Sequence, residues 1–140
     1  MKFDRIAFLA SDSLAARKAL GRLAKRYGNA DPARADVVVA LGGDGHMLQI
    51  LHRFVSTGKP IYGMNRGSVG FLMNDYKEGR LPERLRAAEL TVIHPLKMRV
   101  TGEDGKTSRA IAFNEVSMLR QRYQAAKLKI AVDGKTRLEE

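Results

Sequence analysis

The sequence predicts an α/β fold: a Rossmann-like parallel sheet domain followed by the start of an all-β, β-sandwich-like domain. Three observations predict it. Through about residue 90, short β-branched or apolar runs alternate with segments of helical period in the order β-α-β-α-β. Within that stretch Asp36–Leu41 (DVVVAL) is almost continuously apolar, the pattern of a parallel strand buried on both faces. Beyond Glu89–Thr91 the helical period disappears and two-residue alternation, punctuated by hairpin-like turns, takes over.

Each element has its own signal. Arg5–Ala10 (RIAFLA) reads as a short buried strand, and Ser11-Asp12-Ser13 supplies side chains suited to capping the helix after it. In that helix Ala16, Ala19, Leu20, Leu23, Ala24 and Tyr27 recur on one face, with Arg17, Lys18, Arg22, Lys25 and Arg26 on the other. Gly28-Asn29 ends it. Asp36–Leu41 runs straight into Gly42-Gly43-Asp44-Gly45, and a second helix is expected from about His46 to Ser56, its apolar stripe explained by core packing. Pro60–Gly63 reads as a third strand and Met64–Asp75 as a long ordered loop. Pro82–Ala88 reads as a short helix with proline in its first turn. Thr91–Thr101 then alternates, Gly102–Gly105 makes a turn, Ser108–Arg120 is strand-rich, and Lys127–Val132 alternates ahead of Asp133-Gly134-Lys135. The chain thus divides into 1–90, an α/β nucleotide-binding domain, and 91–140, the beginning of a β-rich domain. The return strand of the last hairpin has barely begun at Glu139-Glu140, and an open sheet there would expose unpaired edges, so a truncated unit is expected.

Composition narrows the function classes. A chain of 140 residues, 44% hydrophobic and 29% charged, can build a core, which argues against disorder. It has no cysteine, so disulfide frameworks and cysteine zinc sites are excluded. The opening Met1-Lys2-Phe3-Asp4-Arg5 contains no apolar stretch of signal-peptide length, and the run Val37–Leu41 is far too short to cross a bilayer. A cytoplasmic protein with no membrane partner is expected. The formal net charge of +10 attracts anions of every kind. The basic residues are dispersed along helix faces without interleaved aromatics, so a nucleic-acid partner is not expected.

Three motifs carry the chemistry. Leu41-Gly42-Gly43-Asp44-Gly45 follows a buried strand, where open α/β sheets place their ligands. Gly42, Gly43 and Gly45 let backbone N–H groups approach a phosphate, and Asp44 could take a proton from an attacking alcohol or hold Mg²⁺. The competing structural reading makes Asp44 the helix N-cap. The motif is neither a Walker A loop nor GxGxxG, since no Gly-Lys-Ser/Thr follows. The second motif, Gly63-Met64-Asn65-Arg66-Gly67-Ser68-Val69-Gly70-Phe71-Leu72, suits a loop folded against a ligand with Phe71 as aromatic wall; alternatively Phe71 and Leu72 anchor a surface loop to the core. The third, Asn114-Glu115 in the strand-rich run, suits sugar hydroxyls and base edges. His46, His52 and His94 do not share a face, and no metal site is assigned to them.

Taken together, LGGDG, then GxNxGxxGFL, then FNE resembles the NAD kinase family across essentially the whole chain. GGDG alone is shared with diacylglycerol and sphingosine kinases and related phosphofructokinases. The resemblance implies transfer of the ATP γ-phosphoryl to the 2′-hydroxyl of the adenosine ribose of NAD, with Mg²⁺ or another divalent cation. It also implies a cleft between an α/β and a β-rich domain, and a homodimer or homotetramer. It makes Asp44 the proton acceptor and places Asp44, Gly45, Phe71, Asn114 and Glu115 at NAD. Two departures stand out. Gln49 occupies a position that is basic in many relatives, and the family's later CDG-type and glycine-rich segments are absent, so the chain alone is expected to be inactive. The alternatives are a non-catalytic nucleotide-binding module and a lipid kinase of the same superfamily.

Overall fold

The computed structural model describes residues 3–67 and 70–139. Strands β1 (Ile6–Ala10), β2 (Val37–Gly42) and β3 (Ile61–Asn65) form a parallel sheet in the order β1-β2-β3. Helices α1 (Leu14–Tyr27), α2 (Asp44–Phe54) and α3 (Leu81–Ala87) accompany them, with a 3₁₀ turn over Val55–Thr57. β2 is the central strand and all six of its residues are buried, which is why its sequence lacks alternation.

Side chains alternate across the sheet and build two cores. On one face Ile6, Phe8, Val37, Val39 and Leu41 meet Ala16, Ala19 and Leu23 of α1 and Leu81 and Leu85 of α3. On the other, Ala7, Val38 and Ala40 meet Met47, Ile50 and Phe54 of α2. The result is a three-layer arrangement, helices on both faces of a parallel sheet.

Local chemistry fixes the ends. The Ser13 hydroxyl accepts the Ala16 N–H at 3.1 Å, capping α1, and the Gly28 N–H closes the helix on the Ala24 carbonyl. The outer edge of β1 is covered: the Phe8 N–H bonds Asn29 Oδ1 at 2.8 Å and the Ala30 N–H bonds the Ile6 carbonyl. The outer edge of β3 is covered by Asn74, whose N–H bonds the Gly63 carbonyl and whose carbonyl accepts from Asn65. Both edges of the small sheet are thereby blunted.

Beyond α3 two antiparallel hairpins follow, β4 (Leu96–Thr101) with β5 (Thr107–Ala112) and β6 (Lys129–Val132) with β7 (Lys135–Glu139). Asp133 and Gly134 both have positive φ, 51° and 75°, the type I′ geometry that an Asp-Gly pair favours in a two-residue loop. None of the described residues in these four strands is fully buried.

The expected boundaries need correction in three places. α2 begins at Asp44 rather than His46. Residues 91–95 are not strand, and β4 starts only after Pro95, which has no N–H to offer a ladder. β5 stops at Ala112, so Asn114-Glu115 follows the strand instead of lying within it.

Candidate active site

The carboxyl ends of the three parallel strands converge. From β1, the Ser11 N–H bonds the Leu41 carbonyl at 2.9 Å; beyond β3, the Arg66 N–H bonds the Gly42 carbonyl at 2.7 Å. The loop after β3 therefore lies directly against the GGDG turn. Gly42 has no room for a side chain, since a Cβ there would come 2.9 Å from the His46 Cβ. His46 itself reaches back, its Nε2 3.2 Å from the Leu9 carbonyl.

Asp44 does not cap α2. Gly43 is the N-cap and makes no side-chain bond; Asp44 is the first helical residue, where a carboxylate complements the helix dipole. Its two oxygens instead accept successive backbone amides of the glycine loop: Phe71 N–H to Oδ2 at 2.8 Å and Leu72 N–H to Oδ1 at 3.0 Å. Gly70 permits this approach, because a Cβ there would fall onto the Asp44 carboxylate, 2.7 Å from its Cγ. The Asn65 side chain accepts the Gly67 N–H at 2.8 Å, tightening the same loop. Ser68 and Val69 lie outside the described residues.

The loop's base is held by stacking. The Arg66 guanidinium lies 4.3 Å from the centre of the Tyr76 ring, while Arg22 lies 5.9 Å from the same ring and pairs with Glu78 at 2.6 Å. Burial, the largest influence, raises the Tyr76 phenol above its ordinary range. Arg84 donates to the Lys77 and Asp75 carbonyls and to the Tyr62 hydroxyl, tying α3 to β3 and to the returning loop. Tyr76, Arg22 and Arg84 are supports that lie outside the three motifs, and Arg66 lies within the second without its stacking role being legible. Their spacing in sequence gives no hint that they meet.

Phe71 is fully exposed and Leu72 stands at 38%; the loop is held instead by the two amides on Asp44 and by Met73, which packs against the core on the α2 side. Asn114 and Glu115 are exposed just beyond β5 and line a cleft with Leu48, His52 and Phe113. The Phe113 ring meets His52 edge-on, 6.3 Å between centres. Asp44, Leu48 and His52 are on successive turns of α2. The helix therefore runs from the carboxylate to the cleft over about 12 Å at 1.5 Å per residue.

Among the described residues no group of three or more His, Asp or Glu side chains could hold a metal ion. Mg²⁺ is commonly held by one or two carboxylates together with substrate phosphates and water, and at the GGDG turn Asp44 is the carboxylate of that kind. Among the described residues, too, no helix is long and apolar enough to cross a membrane.

A parallel α/β sheet with a glycine-rich turn at the end of its central strand defines an open α/β class of protein, whose ligands bind beyond the carboxyl ends of the strands. Residues 11–88 match the family model of the ATP-NAD kinase N-terminal domain. The chain is 56% identical over 139 residues to an NAD kinase of Rhizobium meliloti (strain 1021), covering 99% of this chain and 54% of that protein. It is 56% identical over 136 residues to one of Caulobacter vibrioides, covering 97% and 52%, and 55% identical over 129 residues to one of Brucella suis biovar 1, covering 92% and 49%. The chain belongs to the NAD kinase family. It spans about half the length of the curated relatives it matches.

Proposed function

We propose that this protein is an NAD kinase, transferring the γ-phosphoryl of ATP to the 2′-hydroxyl of the adenosine ribose of NAD. Residues 1–90 act as the nucleotide-binding α/β domain and 91–140 belong to a β-rich NAD-binding domain. The observation that carries the reading is the Asp44 carboxylate at the crest of β2, beside the loop that presents Phe71 outward, inside the region matched to the family.

In the reaction the 2′-oxygen forms a bond to the γ-phosphorus, the bond from that phosphorus to the β–γ bridging oxygen breaks, and ADP leaves. The hydroxyl proton passes to an Asp44 oxygen; a carboxylate has about four lone-pair sites, so two amide bonds leave acceptor capacity. Of the glycines Gly42, Gly43 and Gly45, the last two offer an uncrowded backbone for phosphate approach, since Cβ atoms there would meet nothing within 4 Å, whereas Gly42 is packed against His46. Phe71 provides a face for adenine, and Asn114 with Glu115 supplies an amide and a carboxylate for ribose hydroxyls. A divalent cation on the ATP phosphates would supply charge neutralisation. Catalysis is then positioning plus electrostatics.

The test is Asp44→Asn in the complete protein. Turnover should fall by about 10²- to 10⁴-fold, the range for loss of a general base, with the thermal melt little changed. Near-normal NADP formation would remove Asp44 from the chemistry.

A further inference from the structure

We propose that the basic face of the β4–β5 hairpin is a binding site for a phosphate-class anion carrying two or more phosphoryl groups. The register sets Arg99 directly opposite Arg109, Lys97 opposite Ile111 and Thr101 opposite Thr107. Directly paired residues, and residues two apart along a strand, share a face. Lys97, Arg99 and Arg109 therefore project together, with the two threonine hydroxyls, 3.2 Å apart, at the end of the row.

Like charges directly opposite each other destabilise an antiparallel ladder. Nothing among the described residues offsets this pair. The ion pairs found there use Asp36, Glu78, Asp104 and Glu139, and none reaches Lys97, Arg99 or Arg109. The concavity these three border holds about 800 Å³, His52 of α2 lines it as well, and no carboxylate among the described residues does. Three cations on one face with no ion-pair partner among the described residues set up a field that attracts an anion.

The donor types narrow the anion. Guanidinium forks match phosphate oxygens two at a time, an ammonium adds a point charge, and hydroxyls extend the row. Alternate residues of a strand are roughly 6.8 Å apart, so Lys97, Arg99 and Thr101 span about 13 Å. That is longer than one phosphate and suits a diphosphate or a longer phosphate chain. No Phe, Tyr or Trp borders the concavity, so it lacks the stacking surface a single-stranded nucleic acid would use. The concavity shares His52 and Ile111 with the Asn114–Glu115 cleft but contains neither member of that pair, nor Asp44. The proposal therefore goes beyond the phosphotransferase reading and does not depend on it.

The experiment is calorimetric titration of the 140-residue chain with pyrophosphate at fixed ionic strength. Saturable binding is expected. Arg99→Gln with Arg109→Gln should weaken it by about tenfold or more. Lys135→Gln with Arg137→Gln removes the same charge from β7 and should change binding by less than about twofold, the effect of general screening-range attraction. Equal losses in the two double variants, or no saturable binding by the unaltered chain, would overturn the site. Pyrophosphate should also raise the melting temperature of the unaltered chain and not that of the Arg99/Arg109 variant; a rise retained in that variant counts against the site. ADP titrated in parallel separates the sources of the phosphates. Only ADP affinity that Arg99→Gln with Arg109→Gln removes counts for this site: a loss equal to that of pyrophosphate assigns it to the phosphate chain itself, a larger loss assigns it to a nucleoside diphosphate, and ADP affinity unchanged in that variant counts against the site. No NAD and no turnover enters these measurements, so the site and the NAD kinase reading can fail separately.

Discussion

The α/β region and the hairpin region are built from equally clear sequence patterns, yet only one of them closes a core. Every buried hydrophobic residue among those described lies between Ile6 and Leu85. In the hairpin region Leu119 stands at 86% exposure and Tyr123 is fully exposed. The difference lies in layers rather than in strand propensity. β1, β2 and β3 each have helices on their faces, whereas β4–β5 and β6–β7 are two-stranded sheets, which are marginal in water without a covering layer. Alternation in a sequence specifies a local hairpin; burial requires a second surface for its apolar face.

The sharpest way to break this contrast is paired truncation. Leu23→Ala removes a side chain with 0% exposure from between α1 and the sheet, and should cost about 2–5 kcal/mol in urea unfolding. Leu138→Ala, on a residue 40% exposed in β7, should fall within about 0.5 kcal/mol. Equal costs would mean that the hairpins are as tightly packed as the α/β unit, contrary to their exposure.

A second measurement asks how far the order of the α/β unit reaches into its loop. Gly70→Ala should push the loop off Asp44 and release the Phe71 and Leu72 amides, each of which is in a hydrogen bond to a charged group worth about 1.5–3 kcal/mol. Amide exchange at those two positions should accelerate by about tenfold or more, while exchange in β2 stays slow. Unchanged exchange would show that the carboxylate does not hold the loop. The same variant sharpens the Asp44→Asn experiment, because it disturbs the loop while leaving the carboxylate in place.

The smallest effect compares one chemistry in both regions. The Arg5 guanidinium, bonded at 2.7 Å, and the Arg5 N–H hold the Asp36 carboxyl down at about 2. Lys106 lowers Asp104 in the β4–β5 turn in the same way. A depressed carboxyl contributes stability above its unfolded value, about 3.9, and loses it as pH falls through the folded value. The Asp36 contribution should therefore fade between about pH 4 and pH 2. Asp36→Asn should flatten the acid limb of the stability curve, since the contact joins β1 to β2 across 31 residues. Asp104→Asn should leave that limb nearly unchanged, because its partner is only two residues away. Equal flattening would mean that both act locally.

Much of the fold was legible because periodicity reports directly on burial. The stripe from Ala16 to Leu23 is the buried face of α1, and the uniform apolarity of Val37–Leu41 reflects cores on both sides of β2. The Asp133-Gly134 turn was legible for a different reason: few residues tolerate two successive positive φ values. The end of β5 was not legible. Apolar residues recur past it at Phe113, Val116 and Met118, but the ladder closes where Leu96 meets Ala112, with Pro95 next on the partner strand. The sequence likewise pointed to Asp44 without revealing what it touches, because the two amides it accepts are 27 and 28 residues away. The Arg66–Tyr76–Arg22 stack was invisible for the same reason.

One contact bears on how the chain is made. The Tyr27 hydroxyl, at the end of α1, donates to the Glu78 carbonyl at 2.7 Å and stands 3.4 Å from the Leu81 amide that opens α3. Leu81 and Leu85 complete the core face that α1 begins. During synthesis β1 and β2 are made well before α3, and the α3 share of that face stays missing while the 54 residues separating Tyr27 from Leu81 are added, an interval of roughly 3–11 s at common elongation rates. For that time a nascent chain keeps the part of its sheet that Leu81 and Leu85 will cover open to whatever waits at the ribosome exit, and a chaperone would find its apolar handhold there.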